Sequence, residues 1–393
     1  MSSFNFLGQS VQALSISSPI NKSTYNFKTR VHEGNGFLSL MARVSFLTEA
    51  SEEFNLIIKL VPDNESMDGA RDLCLHDKLD QVEIKAYLIY ASDMIQVFPE
   101  IKKNICEHYY AKIQPENIEL KIPYSSVIIL KDLKPQGYGV KNFYEGIPSK
   151  RYNEVLDFMI QLHVSSKCIE EKHPGKTLRD IYPWLSNWFL PISLGGSVPQ
   201  VSTFFENGFK LAIEAIQKHS SKPEISKIYQ KVGEKSKEIY QKILEVGQKN
   251  ACAIHGDLWT YNILIPENDD SPLKIIDWQF FGYADPGFDL SIFTMSLLHP
   301  DELTPAKVHE TLKYYYNQVK NLSKSKGLLN YPDRSFEEFE HCFNMYGLGY
   351  VMMVFIPGFE VMGQLPNAME KVMKILELLV EVGAPQFLLK QVE

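Results

Sequence analysis

Apolar and polar residues alternate from Phe37 to Phe46, where Leu38, Leu40, Ala42, Val44 and Phe46 are set against Ser39, Arg43 and Ser45. A period of two predicts a half-buried strand. Thr48 to Glu53 is polar and predicts a turn, and Phe54 to Val61 predicts the paired strand. Glu33-Gly34-Asn35-Gly36 predicts another turn, before the first strand. The second strand carries one Lys, Lys59, in an otherwise apolar run. An unpaired ammonium is too costly to bury, so Lys59 needs a carboxylate or a phosphate, unless the strand lies at an edge and its ammonium reaches solvent. Glu83, in the helical run Asp77 to Tyr90, is the natural partner; Glu65, Asp72 and Glu107 compete with it, and a solvated helix face would also explain it. Val127 to Leu133 predicts a buried strand ending in charge, and the polar, glycine-bearing segment Lys134 to Lys150 marks a boundary.

Beyond it the period changes to that of helices. Val155, Met159, Leu162 and Ser166 share one face with His163, a core or surface histidine to which no chemistry is assigned. Ile228, Val232, Ile239, Ile243 and Val246 stripe a single helix over Ile225 to Lys249, with lysines and glutamates outside the stripe. The expected class is α+β and two-lobed: an N-terminal lobe at 1–133, antiparallel sheet plus helix, and a larger, mostly helical lobe at 134–393.

Length agrees, because 393 residues exceed what one core usually supports and 45% hydrophobic residues suffice to fill two. A net charge of −8 gives no sign of the basic patch that a nucleic-acid partner requires, so none is expected. Cys74, Cys106, Cys168, Cys252 and Cys342 are scattered, odd in number and without metal spacing, as in a reduced, cytoplasmic protein. Met1 to Ser18 lacks a secretory pattern, the Asn21 and Asn321 sequons are therefore read as accidental, and Gly347 to Pro357, the most apolar stretch, is too short to span a bilayer.

The chemistry concentrates in His255-Gly256-Asp257-Leu258-Trp259-Thr260-Tyr261-Asn262 and in Leu273-Lys274-Ile275-Ile276-Asp277. Asp and Asn are common in turns and caps, which would explain any one of these residues alone. The apolar runs Ala251 to Ile254, Ile263 to Ile265 and Leu273 to Ile276 predict strands, however, and place the polar residues at strand ends. Kinases divide labour in this pattern: a loop Asp takes the acceptor's proton, while the loop Asn and a later Asp carry Mg²⁺. Asp257, Asn262 and Asp277 fit those roles. A metal-dependent hydrolase using His255, Asp257, Asp277 and Asp285 is an alternative, but it leaves Lys59 unexplained.

The string from His255 to Trp259 with Asn262, followed by Ile276-Asp277-Trp278-Gln279 and Asp289-Leu290, resembles the ecdysteroid-kinase-like family, a branch of the aminoglycoside phosphotransferase and choline kinase group with a protein-kinase-like fold. Trp278 stands where that family usually has Phe, and Lys131 where it usually has Glu. The resemblance implies ATP and Mg²⁺, Asp257 and Asn262 as catalytic residues, Asn262 and Asp277 as metal ligands, and Lys59 with Glu83 at the phosphates. It also implies Gly34 and Gly36 in a nucleotide-side hairpin, backbone contacts from Ile129 and Leu130 to adenine, and His255 and Asp289 bracing the loop. A hairpin turn alone would explain the glycines, and a helix N-cap would explain Asp289.

The acceptor is expected to be a small molecule with a hydroxyl. Phe336, Phe339, Phe343, Tyr346, Tyr350, Met352, Met353 and Phe355 would give an apolar roof suited to a steroid-like alcohol. Choline or ethanolamine is the alternative, through aromatic faces and Glu337, Glu338 and Glu340. A nucleotide-binding pseudokinase is a further one. Oligomeric state does not follow from the sequence.

Overall fold

The protein is described from a computed structural model. It describes residues 39–47, 53–61, 74–75, 77–117, 119, 124–185, 198–247, 250–352, 365 and 367–393. Gly34 and Gly36, the turn they form, Glu65, Asp72, Met353 and Phe355 lie outside the described residues.

The chain begins with strands β1 (Leu40–Leu47) and β2 (Glu53–Leu60), then helix α1 (Leu79–Lys85), a π-helical turn at Ala86–Tyr90 and α2 (Ala91–Val97). Strands β3 (His108–Gln114), β4 (Ser125–Lys131) and β5 (Tyr138–Gly139) follow, then helices α3 (Ser149–Glu171), α4 (Leu178–Ile181), α5 (Val198–His219), α6 (Ser226–Gly233) and α7 (Ser236–Gly247). Short strands β6 (Cys252–Ile254), β7 (Ile263–Pro266), β8 (Lys274–Ile275) and β9 (Gly282–Ala284) come next. Helices α8 (Pro286–Leu297), α9 (Pro305–Ser325), α10 (Phe336–Tyr350), α11 (Ala368–Glu381) and α12 (Ala384–Val392) end the chain. This is the expected α+β class. The chain forms two compact units, one of residues 1–93, 103–139 and 265–279, the other of 94–102, 140–264 and 280–393.

In the first unit, four antiparallel strands run in the order β1-β2-β4-β3. Leu56 and Ile58 of β2 join Val44, Val127 and Ile129 in a buried cluster, which is what period-two alternation requires. Lys59 points to the other face, and β2 is flanked on both sides, Lys59 standing opposite Met41 in β1 and Ile128 in β4. The edge-strand explanation of Lys59 therefore fails. Ile129 and Leu130 also sit mid-sheet, opposite Ile58 and Ile57 on one side and Tyr110 and His108 on the other. Their backbone groups face these two ladders, so the adenine contacts expected of Ile129 and Leu130 do not fit their position.

In the second unit, α8 is buried along its whole length, consistent with a helix that is apolar all round. The single helix expected over Ile225 to Lys249 is instead a 3₁₀ turn at Pro223–Ile225 followed by α6 and α7. It breaks after Gly233, a poor helix former whose added Cβ would lie 3.2 Å from the Phe209 Cβ. Val232, Ile239 and Ile243 are buried on either side of the break. Lys371 of α11 is fully buried, donating to the carbonyl oxygens of Phe143 (2.5 Å) and Ser296 (2.7 Å), with its ammonium 4.6 Å from the Phe143 ring. Among the described residues no helix is long and apolar enough to cross a membrane, and the five cysteines are free thiols.

Candidate active site

Two sets of polar residues are built, one in each unit. In the first, the Lys59 ammonium lies 2.7 Å from Glu83 Oε2 and 2.6 Å from Asp277 Oδ1. Glu83 comes from the buried face of α1 and is 2% exposed, whereas the Asp277 side chain is 31% exposed. Burial works against the Lys59 charge, but Asp277 and then Glu83 outweigh it and raise the pKa above the ordinary lysine value. Burial pushes the Glu83 carboxyl up, against the pull of Lys59. The ammonium is therefore held charged by two carboxylates of unequal exposure. Glu83 Oε1 is buried without a hydrogen-bond partner, beside a small cavity lined by Ser39, Cys74, Asp80, Ser126 and Gln279. Glu107, one of the competitors for Lys59, pairs with Lys131 instead.

Asp277 follows β8 with φ +64°, in the left-handed region that Asp and Asn tolerate better than other side chains. The sequence marked Asp277 as a metal carboxylate and missed that it also holds Lys59. No local pattern carries that information, because the two residues are 218 positions apart.

In the second unit, β6 pairs with β9, Ile254 opposite Gly282, and the loop turns directly after β6. Gly256 makes the turn at φ +81°, and a Cβ there would lie 2.3 Å from the Phe280 carbonyl oxygen. Asp289 of α8 is fully buried and accepts the backbone N–H groups of His255 and Gly256, each at 2.8 Å. The N-cap of α8 is Asp285, whose side chain accepts from Gly287 N, so the capping explanation of Asp289 is taken by its neighbour. The His255 ring is buried, with Nδ1 accepting from Asp257 N at 3.3 Å.

Asn262 ends a 3₁₀ turn (Thr260–Asn262) and donates from Nδ2 to both the backbone oxygen and the Oδ2 of Asp257, each at 2.8 Å. Asp257 is thereby fixed at its backbone and at its carboxylate, with its side chain part-exposed. Trp259 and Tyr261, half-buried, face each other nearby with ring centroids 4.8 Å apart.

Sequence reasoning missed two contributors here. His163 Nε2 lies 3.2 Å from Asp289 Oδ2, and Tyr315 OH lies 2.6 Å from His163 Nδ1. The hydrolase set is not assembled around Asp285: Arg334 grips both its oxygens, at 2.5 and 3.2 Å. Among the described residues no group of three or more His, Cys, Asp or Glu side chains could hold a metal by itself. Asp277 has a part-exposed carboxylate in the first unit and Asn262 an amide in the second, and oxygen donors of either kind are hard ligands of the sort Mg²⁺ takes.

The apolar roof expected from Phe336 onward goes largely into packing. Phe339, Phe343, Tyr346, Tyr350 and Met352 are all buried, with Phe339 stacked on Tyr315 and Phe288 edge-on to Tyr346 and Tyr350.

No curated protein matches the chain. Among solved structures, it is similar to a type VIII aminoglycoside-3'-phosphotransferase at 13% identity, with 88% of this chain and 98% of that one covered and a TM-score of 0.42. It is also similar to a choline kinase from Streptococcus pneumoniae (12% identity, 86% and 89% covered, TM-score 0.35). An ethanolamine kinase from Plasmodium vivax gives 13% identity, 90% and 81% coverage and a TM-score of 0.39. The ecdysteroid kinase-like family model matches residues 33–328, which takes in Lys59, Glu83, the whole loop from His255 to Asn262, Asp277 and Asp289. The chain belongs to the ecdysteroid kinase-like family.

Proposed function

We propose that the protein is an ATP-dependent kinase that transfers the γ-phosphate to a hydroxyl of a small, apolar, steroid-like acceptor in the cytoplasm, with Mg²⁺ as its metal. The observation that carries the reading is the Lys59 ammonium, held charged between a buried carboxylate and a part-exposed one. Glu83 fixes the ammonium, and Lys59 with Asp277 then presents a positive charge and a metal-binding carboxylate side by side, as polyphosphate binding requires. Bound at Asp277 and Asn262, Mg²⁺ would neutralise phosphate charge.

The reaction forms a bond between the acceptor oxygen and the γ-phosphorus and breaks the bond from that phosphorus to the β-bridging oxygen, releasing ADP. The acceptor's proton passes to the Asp257 carboxylate. Asn262 holds that carboxylate by an N–H donor, so Asp257 orients the hydroxyl with little reorganisation. Lys59 steadies the phosphates, and His255 and Asp289 keep the loop in place.

The apolar acceptor is supported by Trp259 and Tyr261, half-buried rings two and four residues after Asp257. Choline is the less favoured acceptor, because two of the acidic groups that would attract it are engaged elsewhere. Glu338 accepts from Ser335 N at 2.7 Å, and Glu340 is 2.8 Å from His309 Nδ1. The test is ADP release at fixed Mg·ATP with steroid or terpenoid alcohols, with choline and ethanolamine, and with aminoglycosides. Turnover is expected with the first panel, little with the second and almost none with the third. Choline as best acceptor would overturn the acceptor class, and ATP hydrolysis indifferent to every acceptor would overturn the kinase reading.

A further inference from the structure

We infer that His163 and Tyr315 are positioning residues for the loop that carries Asp257, acting through Asp289. Asp289 Oδ1 accepts from Gly256 N, and Oδ2 accepts from His255 N while lying 3.2 Å from His163 Nε2. A carboxylate only accepts, so Nε2 carries the imidazole proton and donates. Nδ1 is then an acceptor, and the Tyr315 hydroxyl, 2.6 Å away, donates to it. Burial pushes the Tyr315 pKa well above the usual tyrosine range, which keeps that hydroxyl a donor. The Tyr315 ring is fixed in turn, stacked on Phe339 with centroids 5.4 Å apart and edge-on to His163.

The chain of contacts runs Tyr315 (α9), His163 (α3), Asp289 (α8), then the two amides that precede Asp257. Every side chain in it is buried. Asp289 can hold two adjacent amides only with its carboxylate plane fixed, and the third hydrogen bond, from His163, fixes that plane. Without it the carboxylate can turn about its terminal torsion, where side-chain preferences are broad. One of the two amides would then lose its acceptor and the loop would loosen next to Asp257. A displacement of about 1 Å at a reacting group can cost roughly 100-fold in rate.

A histidine that merely filled the core would affect stability without affecting the turnover of folded enzyme, and this difference is what the experiment reads. Three variants of the full chain are compared. His163→Leu removes both ring contacts, His163→Gln keeps an N–H that can reach Asp289, and Tyr315→Phe removes only the hydroxyl. The inference rests on the proposed kinase activity for its kinetic readout, so amide hydrogen exchange at His255 and Gly256 is measured in parallel and needs no substrate.

For folded His163→Leu, acceptor-dependent kcat is expected to fall roughly 10- to 100-fold with little change in KM for ATP, because the Lys59 set is untouched. Exchange at His255 and Gly256 should accelerate while the amides of α11 keep their protection. His163→Gln should recover most of both effects, and Tyr315→Phe should show a smaller loss of the same kind. Unchanged kcat together with unchanged loop exchange would overturn the inference. So would exchange that rises evenly through the unit, the mark of a filler. If wild-type protein turns over no acceptor, the kinase reading fails and loop exchange alone decides the role of His163. If His163→Leu does not fold, Tyr315→Phe decides.

Discussion

Lys371 allows a pH prediction whose magnitude follows from the structure. Its ammonium is fully buried against two backbone carbonyls and the Phe143 ring, and among the described residues no carboxylate pairs with it. Burial lowers its pKa from 10.5 to about 7. The folded value lies below the unfolded one, so between about pH 7 and 10.5 the unfolded chain binds the extra proton. Stability therefore rises with pH across that window and is lost as pH falls towards 7. At about 1.36 kcal/mol per pH unit, the separation between 10.5 and about 7 is worth about 5 kcal/mol. The carbonyls and the ring face favour the cation, which makes this figure a ceiling. Urea unfolding of wild type and Lys371→Met at half-unit steps from pH 6.5 to 9.5 isolates the effect, because other titrating groups cancel in the difference. The two carbonyls left unpaired in Lys371→Met give an offset of about 1–3 kcal/mol each that does not vary with pH, so the slope is the readout. Wild type is expected to gain on the variant by up to about 1.4 kcal/mol per pH unit above 7. A difference that stays flat over the whole range would refute the conclusion that this amine gives up its proton.

The same structure yields three further outcomes. Lys59→Met should raise KM for ATP or lower kcat; it also leaves Glu83 buried without its cation, costing about 3–5 kcal/mol by chemical denaturation, and wild-type ATP kinetics would remove Lys59 from the phosphate site. Asp257→Ala should cut turnover roughly 10²- to 10⁴-fold with nucleotide affinity nearly intact, whereas Asp277→Asn should weaken Mg·ATP binding itself. Asparagine tolerates φ +64°, so the second change isolates charge, and equal nucleotide affinity in both variants would contradict the division of labour. Asp285→Ala strips the N-cap of α8 and leaves the Arg334 guanidinium unpaired, so the urea midpoint should fall by the equivalent of about 3–5 kcal/mol, and a shift worth less than 1 kcal/mol would count against the buried pair.

What could be read from the sequence was local. Period-two alternation found β1, and apolar runs found β2 and β4; all three contribute to the apolar cluster around Ile58 and Ile129. The run from Ile225 to Lys249 misled because its apolar stripe continues across the break between Gly233 and Ser236. The lone lysine in β2 announced a need for a carboxylate, and Glu83 was named from helix position. That Asp277 serves Lys59 as well could not be read, since chain folding alone brings them together. His163 looked like any core histidine for the same reason, its partners Asp289 and Tyr315 being 126 and 152 positions away. Ile129 and Leu130 were misread because apolar residues before a charged end do not reveal whether a strand has one neighbour or two.

Gly256 has a consequence for how this chain can change over time. Its positive φ is strained for any L side chain, and the space where a Cβ would go is filled by the Phe280 carbonyl oxygen. At most buried positions tolerance is graded by size, so a lineage can drift through alanine, serine or valine. Here the offending atom is the one that every other amino acid shares, and no base change that replaces glycine avoids it. A saturation library would show an empty column directly before Asp257. Substitution at this position therefore has to wait for a backbone rearrangement at Phe280, which couples the drift of the loop to that of the strand that follows it.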